Sequence, residues 1–545
     1  MSAVSQLISV KYTDLTNYTA GVGNDVLGVP FDHHWGPVGV LNTLSQSAFF
    51  QSYPESLPIG KTSIVPTRYY AYAQAKKALE MPNVLVEAFR VQGGWKYSEI
   101  YLSKEVTEAA PKVYSVEQNA KQFASISNKA MAISLKYPGI PPKSLLGDYD
   151  RLVIVISANK DDQSVIIKIC GATKATARPE TGLFLQEDAV YFQVDESSPV
   201  EEWQGSTNPS AMLDGASYFI EDVVASSDFI AVTVNSEFKI PENILPTAIH
   251  ILKDVTIPEA PTQEQWEDAL QVFDDTINSE ATLLISPVGT ADLDNKVLQL
   301  GASRQDMNGV IGYPVIAVFD KDSVKTFLTT MAGVRNMFSF FVVGREMYKI
   351  FGYKIQLNCV GGWCGATINI AQTVRTNQLA SAFTYGGYNG TLTETLSFDD
   401  VCELHKLGII SVFSSNQGPM IWGVRSLHTR QTSYYGSANV IRVLSKILRL
   451  VFPECLNAIH TDAASNPITR ANFNIKFNGI INDEISQQNL LSDSKADCLG
   501  EVNSDVNTKG GKSFNLNLTL HFIGLVEAIN INVFATDSSV TAKIS

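Results

Sequence analysis

The sequence predicts an α/β core, with a mixed, mostly parallel sheet flanked by helices, that carries an inserted β-rich domain and a small α+β C-terminal domain. Three observations predict it. Apolar strand-like runs alternate with helix-periodic segments over residues 262–374, the pattern of a parallel sheet covered on both faces. Between residues 92 and 258 that pattern gives way to short alternating runs separated by Pro, Gly, Ser and Asp, as in a β-rich module. After a long helical stretch, two strictly alternating segments close the chain. At 545 residues the chain exceeds one core, since single cores stop growing near ~250–300 residues. The divisions that follow are an N-terminal arm (1–22), a core (23–91 plus 259–417), an inserted outer domain (92–258), a C-terminal domain (418–527) and a final strand or arm (528–545).

Residues 1–22 carry Leu7, Ile8, Val10, Tyr12 and Leu15 among polar neighbours, which suits either an arm that pairs elsewhere or a frayed terminus. Ordered structure begins over 25–31, and Trp35-Gly-Pro37 makes a turn. A helix is expected over 69–79, with Ala71, Ala75 and Ala78 permitting close approach to a sheet, and a strand over 84–91. The insertion has its clearest strands at 152–156, 165–169, 189–194 and 229–234. Thr262 and Gln265 have capping-box spacing, and Trp266, Leu270, Phe273 and Ile277 form the apolar face of the helix they open. Strands over 281–286, 312–319 and 337–343 alternate with helices over 292–300 and 323–332. Gly361-Gly-Trp-Cys-Gly365 reads as a tight turn before a helix over 366–374.

Gly418-Pro419 starts a short apolar strand with Ile421, Trp422 and Val424, from which Arg425 departs. The helix expected over 439–451 places Val440, Val443, Leu444, Ile447, Leu448 and Val451 on one face and Arg442, Lys446 and Arg449 in a stripe on the other. A second helical region spans 467–491. Residues 514–522 and 528–534 alternate strictly, as half-buried strands of a small separate sheet do.

Acidic residues number 55 against 41 basic, a net charge of −14 that argues against binding along a phosphate backbone. The six cysteines are scattered; only Cys359 and Cys364 are near neighbours, with no second pair to complete a zinc site, so reduced, packed thiols are expected. No signal peptide and no apolar run of about eighteen residues is present, which speaks against a secreted precursor or a membrane-spanning chain. Asp32-His33-His34 could ligate a metal, but neighbours on an extended chain point to opposite faces. The Gly361–Gly365 stretch lacks the spacing of a dinucleotide loop and the Gly-Lys-Ser/Thr of a triphosphate loop. Nothing local supports Cys359 or Cys364 as a nucleophile with His405 or His428 as base. The expectation is no enzyme, no cofactor and no metal.

Four stretches resemble the contractile tail sheath proteins of phage tails and related bacteriocin-type injection machines. They are Val29-Pro-Phe-Asp-His-His-Trp-Gly-Pro-Val38, Met131-Ala-Ile-Ser-Leu-Lys-Tyr-Pro-Gly139 leading to the strand at Leu152, Ile421-Trp-Gly-Val-Arg-Ser-Leu427 followed by Asn439-Val-Ile-Arg-Val443, and the terminal pair of alternating strands. They occur in the family's order across most of the chain, with Trp422, Gly423 and Arg425 at the centre of the third. Val424 stands where Ala is usual, Val443 where a second Arg is usual, and the final Pro-Ala-Glu-Phe is absent.

The resemblance implies a homo-oligomer, a helical stack of hexameric rings around an inner tail tube protein, bounded by baseplate and terminator proteins. It implies no direct binding of nucleic acid and no insertion in a membrane. It further implies assembly in the host cytoplasm, residence in the virion tail, and contraction that drives the tube through the host envelope. It also implies strand exchange through two arms, one at Leu7, Ile8, Val10 and Tyr12, the other at Ile529, Ile531 and Val533. For the second arm, a hairpin within the chain against residues 514–522 is the alternative. The tube should face a late helix, with Arg442, Lys446 and Arg449 or Arg470 and Lys476 as candidates. The rival readings are a soluble α/β enzyme with an accessory β domain, and another baseplate or capsid component.

Overall fold

Six parallel strands form the centre of the core, and a strand running the other way closes each edge. The computed structural model describes residues 25–103, 113–118, 129–147, 149–159, 164–235, 244–252, 257–431, 433–459, 461–504, 514–524, 531–536 and 539–544. The core strands are β1 (Val26–Asp32), β2 (Leu41–Leu44), β3 (Leu85–Val91), β4 (Leu283–Ile285), β5 (Asn308–Gly312), β6 (Ser339–Val343), β7 (Ile409–Ser415) and β8 (Gly418–Trp422). Their order across the sheet is β2-β3-β1-β4-β5-β6-β7-β8. Every residue of β1, β4, β5 and β6 is buried, as strands covered on both faces must be. Alternation divides them between two apolar clusters: Leu283, Phe340 and Val342 face one layer, Leu284, Phe341 and Val343 the other.

The first layer is built by α1 (Tyr70–Leu79) and α3 (Val360–Thr373), the second by the helix Gln263–Gln271, α2 (Ala291–Arg304) and the helices Lys321–Thr330 and Phe398–His405. The expected capping box is present, with Gln265 N donating to Thr262 Oγ1 and Thr262 N to Gln265 Oε1.

Two local expectations are corrected. Gly361–Gly365 is not a turn before a helix but the first turn and a half of α3 itself. A side chain at Gly361 would run into the Gln74 carbonyl, and a Cβ at Gly365 would lie 2.5 Å from the Ala78 carbonyl oxygen. The small residues of α1 and α3 therefore let two helices touch backbone to backbone, in addition to the contact with the sheet that the alanines had suggested. The strand expected over 312–319 is instead β5, which begins four residues earlier and ends at Gly312. Its Gly309 is needed because the Val297 carbonyl of α2 lies 2.5 Å from where a Cβ would stand. Pro314, which has no N–H to donate, then falls in the loop that follows.

The insertion contains a four-stranded and a six-stranded antiparallel sheet, and its apolar cluster takes in Trp35 and Ile59 from the first part of the chain. Polar groups join it to the core. Fully buried Arg90 donates to the carbonyls of His33, Gly36 and Pro138 at 2.7, 2.6 and 2.8 Å. Asp32 accepts from Arg68 and, at 2.8 Å, from the Trp95 indole, while Arg68 also reaches the Pro258 carbonyl. Each buried charge thus gains partners that offset part of its desolvation.

The C-terminal region is built on α4 (Ala438–Ala458) and α5 (Pro467–Ser486). The first turn of α4 packs into the core through Ala438 and Ile441, and its later Val443, Ile447 and Val451 meet Phe473, Phe477 and Ile481 of α5. β8 pairs with β7, so the stretch beginning at Gly418 starts as the edge strand of the core sheet. Phe514, Leu516, Leu518, Leu520 and Phe522 pack against the α4–α5 cluster, keeping the alternation. Only Asn517–Thr519 is a strand, and it pairs with Lys495–Asp497.

Candidate assembly surfaces

The three cations expected to line an exposed face of α4 are turned inward. Arg442 is 3% exposed and ion-paired with Asp25, immediately before β1. Arg449 stands 3.9 Å from the same carboxylate. Lys446, 7% exposed, meets buried Glu484 of α5 at 2.7 Å. The stripe is a seam between α4, the root of β1 and α5, not a solvated face. The periodicity was sound, but the first half of α4 lies between the core and α5 and buries both of its faces.

Of the other two candidates, Arg470 donates to the Asn503 carbonyl at 2.8 Å and is partly buried. Lys476 is exposed and ion-paired at 3.0 Å with Glu454 of α4. Ile475, next to it, and Ile468, two turns earlier on α5, have 70% and 74% of their surface exposed. Trp422 packs edge-on against Phe398, ring centroids 5.1 Å apart. Gly423 sits at φ +135° with the Ile410 Cα 2.9 Å from where a Cβ would be, which explains a glycine there. Arg425 donates to the Gln431 carbonyl at 2.6 Å, holding the loop ahead of α4.

Leu7, Ile8, Val10, Tyr12 and Ile529 lie outside the described residues. Ile531 and Val533 are in the strand Ile531–Thr536, which turns back and pairs antiparallel with Ser539–Ile544. Among the described residues this hairpin is a two-stranded sheet that joins no other, and residues 514–522 are not its partner.

The sites considered for chemistry have local structural explanations. The first amides of α3, where a phosphate would bind, are occupied: Gly361 N donates to Gln74 Oε1 at 2.6 Å and Val360 N to Asn358 Oδ1 at 3.3 Å. Burial raises the thiol pKa values of Cys359 and Cys364, the opposite of activation. His405 accepts from Val424 N, and His428 caps its own turn by accepting from Arg430 N.

His33 and His34 do not point to opposite faces as expected. The chain bends after Asp32, and the rings stack with centroids 4.3 Å apart. Burial and then the Arg90 charge depress His33 to about 3, an environment hostile to a second cation. Among the described residues no group of three or more His, Cys, Asp or Glu is placed to hold a metal, and no helix is long and apolar enough to cross a membrane.

The sequence reading missed Asp25 and Glu484. Neither is near its cationic partner in the chain, Asp25 and Arg442 being 417 positions apart, so no local pattern signals the pairing.

No protein-family model matches the sequence, and no curated protein does. Solved structures do match. A sheath tail protein from Listeria innocua is similar at 10% identity with a TM-score of 0.54, over 96% of this chain and 94% of that one. A sheath tail protein from Desulfitobacterium hafniense is similar at 10% identity with a TM-score of 0.48, over 90% of this chain and 93% of that one. The sheath of an extracellular contractile injection system, in its contracted state, covers 48% of this chain and 72% of its own at 14% identity, with a TM-score of 0.40. The Listeria likeness runs over nearly the whole of both chains. The fold of this chain is that of the tail sheath proteins.

Proposed function

We propose that this chain is the structural subunit of a contractile tail sheath, polymerising as stacked six-fold rings around an inner tube and contracting to drive that tube through a cell envelope. The correspondence in fold along nearly the whole of a sheath tail protein carries the reading. The terminal hairpin supports strand exchange as the link between subunits. A two-stranded hairpin on its own is marginal in water, and three or more strands make it stable. With both outer edges unpaired by any described strand, it can accept strands from neighbouring copies. At ~1 kcal/mol net per backbone hydrogen bond, an arm making about five contributes ~5 kcal/mol. That is comparable to the stability of a domain, so core domains could slide past one another while the links hold.

The division into an arm at 1–22, the discontinuous core, the outer insertion and the C-terminal domain belongs to the same proposal. So does the placing of a tube contact on α5 around Lys476, where the cation is exposed and its ion pair weak enough to exchange.

The test is assembly of the purified chain, viewed by negative-stain microscopy. Hollow cylinders are the expected product. Removing residues 1–15, or 531–545, should leave a folded monomer that no longer forms them. Monodisperse monomers from the intact chain, at every concentration and salt tried, would overturn the reading.

A further inference from the structure

Two surfaces at opposite poles of the core sheet have complementary character. After β5 the chain enters a loop, residues 313–319, whose Ile316 is 95% and Val318 70% exposed. Scattered exposed apolar residues are ordinary, but this loop is held from beneath. The Arg345 guanidinium donates to the Pro314 and Ala317 carbonyls at 2.6 Å each, is anchored by Glu394 at 2.6 Å, and lies 4.8 Å from the Phe319 ring centre. Tyr313 Oη donates to the Val318 carbonyl at 2.7 Å. A backbone restrained in this way loses little freedom when its outward side chains are buried.

At the other end of β5, just before its first residue, a cavity of ≈ 460 Å³ opens between the end of α2 and the second half of α4. One wall is Leu448, Val451, Phe452 and Cys455; the facing wall includes Arg304 and Asp306. Those two charges satisfy each other at 2.7 Å, and Arg304 also donates to the Phe273 carbonyl at 2.7 Å. Among the described residues the cavity is open on this side, with Phe452 40% exposed.

β5 has five residues, so loop and cavity are separated by roughly 17 Å along the strand direction at ~3.3 Å per residue. An apolar knob at one pole and a cavity with one apolar wall at the other, its facing wall polar, define a head-to-tail contact between unlike surfaces, which propagates as an open helix unless its rotation happens to close. We propose that the Ile316–Val318 loop of one copy seats in the Leu448–Cys455 cavity of the next. This contact rests on the sheath reading and adds to it a core-to-core interface separate from the arms.

Cys455 lies in the cavity wall as a free thiol, so Ile316→Cys provides a direct probe. Mild oxidation of assembled I316C should give a ladder of disulfide-linked chains, absent from dilute monomer and abolished by adding Cys455→Ser. Ile316→Asp should raise the concentration needed for assembly by at least about tenfold, with an unchanged unfolding transition showing that the exposed loop is not needed for folding. Assemblies of I316C that yield no ladder, a ladder that survives C455S, or normal assembly by I316D would overturn the contact while leaving the sheath reading in place. An intact chain that never assembles would overturn both.

Discussion

Asp294 offers a quantitative test of the core as described. It lies in the first turn of α2, is 0% exposed, and its carboxylate oxygens make no hydrogen bond of good geometry, the Ser286 hydroxyl lying nearby. Burial raises its pKa from 3.8 to about 7, the Ser286 hydroxyl offsetting only part of the effect. The folded protein therefore holds this proton more tightly than the unfolded chain does. Its contribution to stability is fully present below pH 3.8, falls as the pH rises towards 7, and is flat above that. A shift of about three units corresponds to roughly 4 kcal/mol lost across that window. Asp294→Asn removes the ionisation with little change of shape. In urea unfolding the variant and the wild type should be nearly equal at pH 4, and the variant should be more stable at pH 8 by up to roughly 4 kcal/mol. Asp294→Leu, which removes the polar atoms altogether, should be at least as stable at pH 8. Parallel pH profiles for wild type and Asn variant would refute the reasoning, since they would mean that the carboxylate is solvated or partnered in the folded chain.

Other perturbations probe the packing and the buried charges. Gly365→Val should force α3 away from α1 and cost about 1–3 kcal/mol or more, read as a fall in the thermal midpoint, whereas Gly333→Ala, with nothing within 4 Å, should be neutral. Glu484→Gln should cost about 3–5 kcal/mol by stranding the Lys446 charge, with Lys446→Met plus Glu484→Leu recovering most of it. The wild-type pair should be insensitive to added salt in denaturant titrations, because buried charges are poorly screened. In the native protein a thiol reagent should label Cys402 and Cys455 first and leave Cys359 and Cys364 untouched until unfolding, as mass spectrometry of the labelled peptides would show.

Much of the core was legible in the sequence because its governing interactions are local. Strands buried on both faces need continuous apolar runs, so β1, β3, β4 and β6 stand out from their surroundings. The Thr262–Gln265 cap and the period of α4 are likewise written within a few residues of chain. Legibility failed where the deciding contact is distant. The glycines of α3 look like a turn until α1 is set against them, and β5 looks like a weak strand until α2 crosses at Gly309. The alternation at 514–522 correctly marked which side chains turn inward and are partly buried, but not the strand they would pair beside, since edge partners leave no local trace. Among the candidate site residues, Lys476 is exposed as a contact residue must be, whereas Arg442 and Lys446 are consumed inside the chain.

The sequence by itself determined the mixed α/β class of the fold and many of the apolar positions of its core, because periodicity and turn chemistry act between near neighbours. Only the tertiary structure decided which polar groups are spent internally and which remain for partners. An arginine on a regular stripe has one meaning in water and another beside Asp25, and the difference lies in desolvation, set by chain segments hundreds of residues away. The same holds for Ile316 and Val318, apolar residues that resemble core until the Arg345 scaffold presents them to solvent.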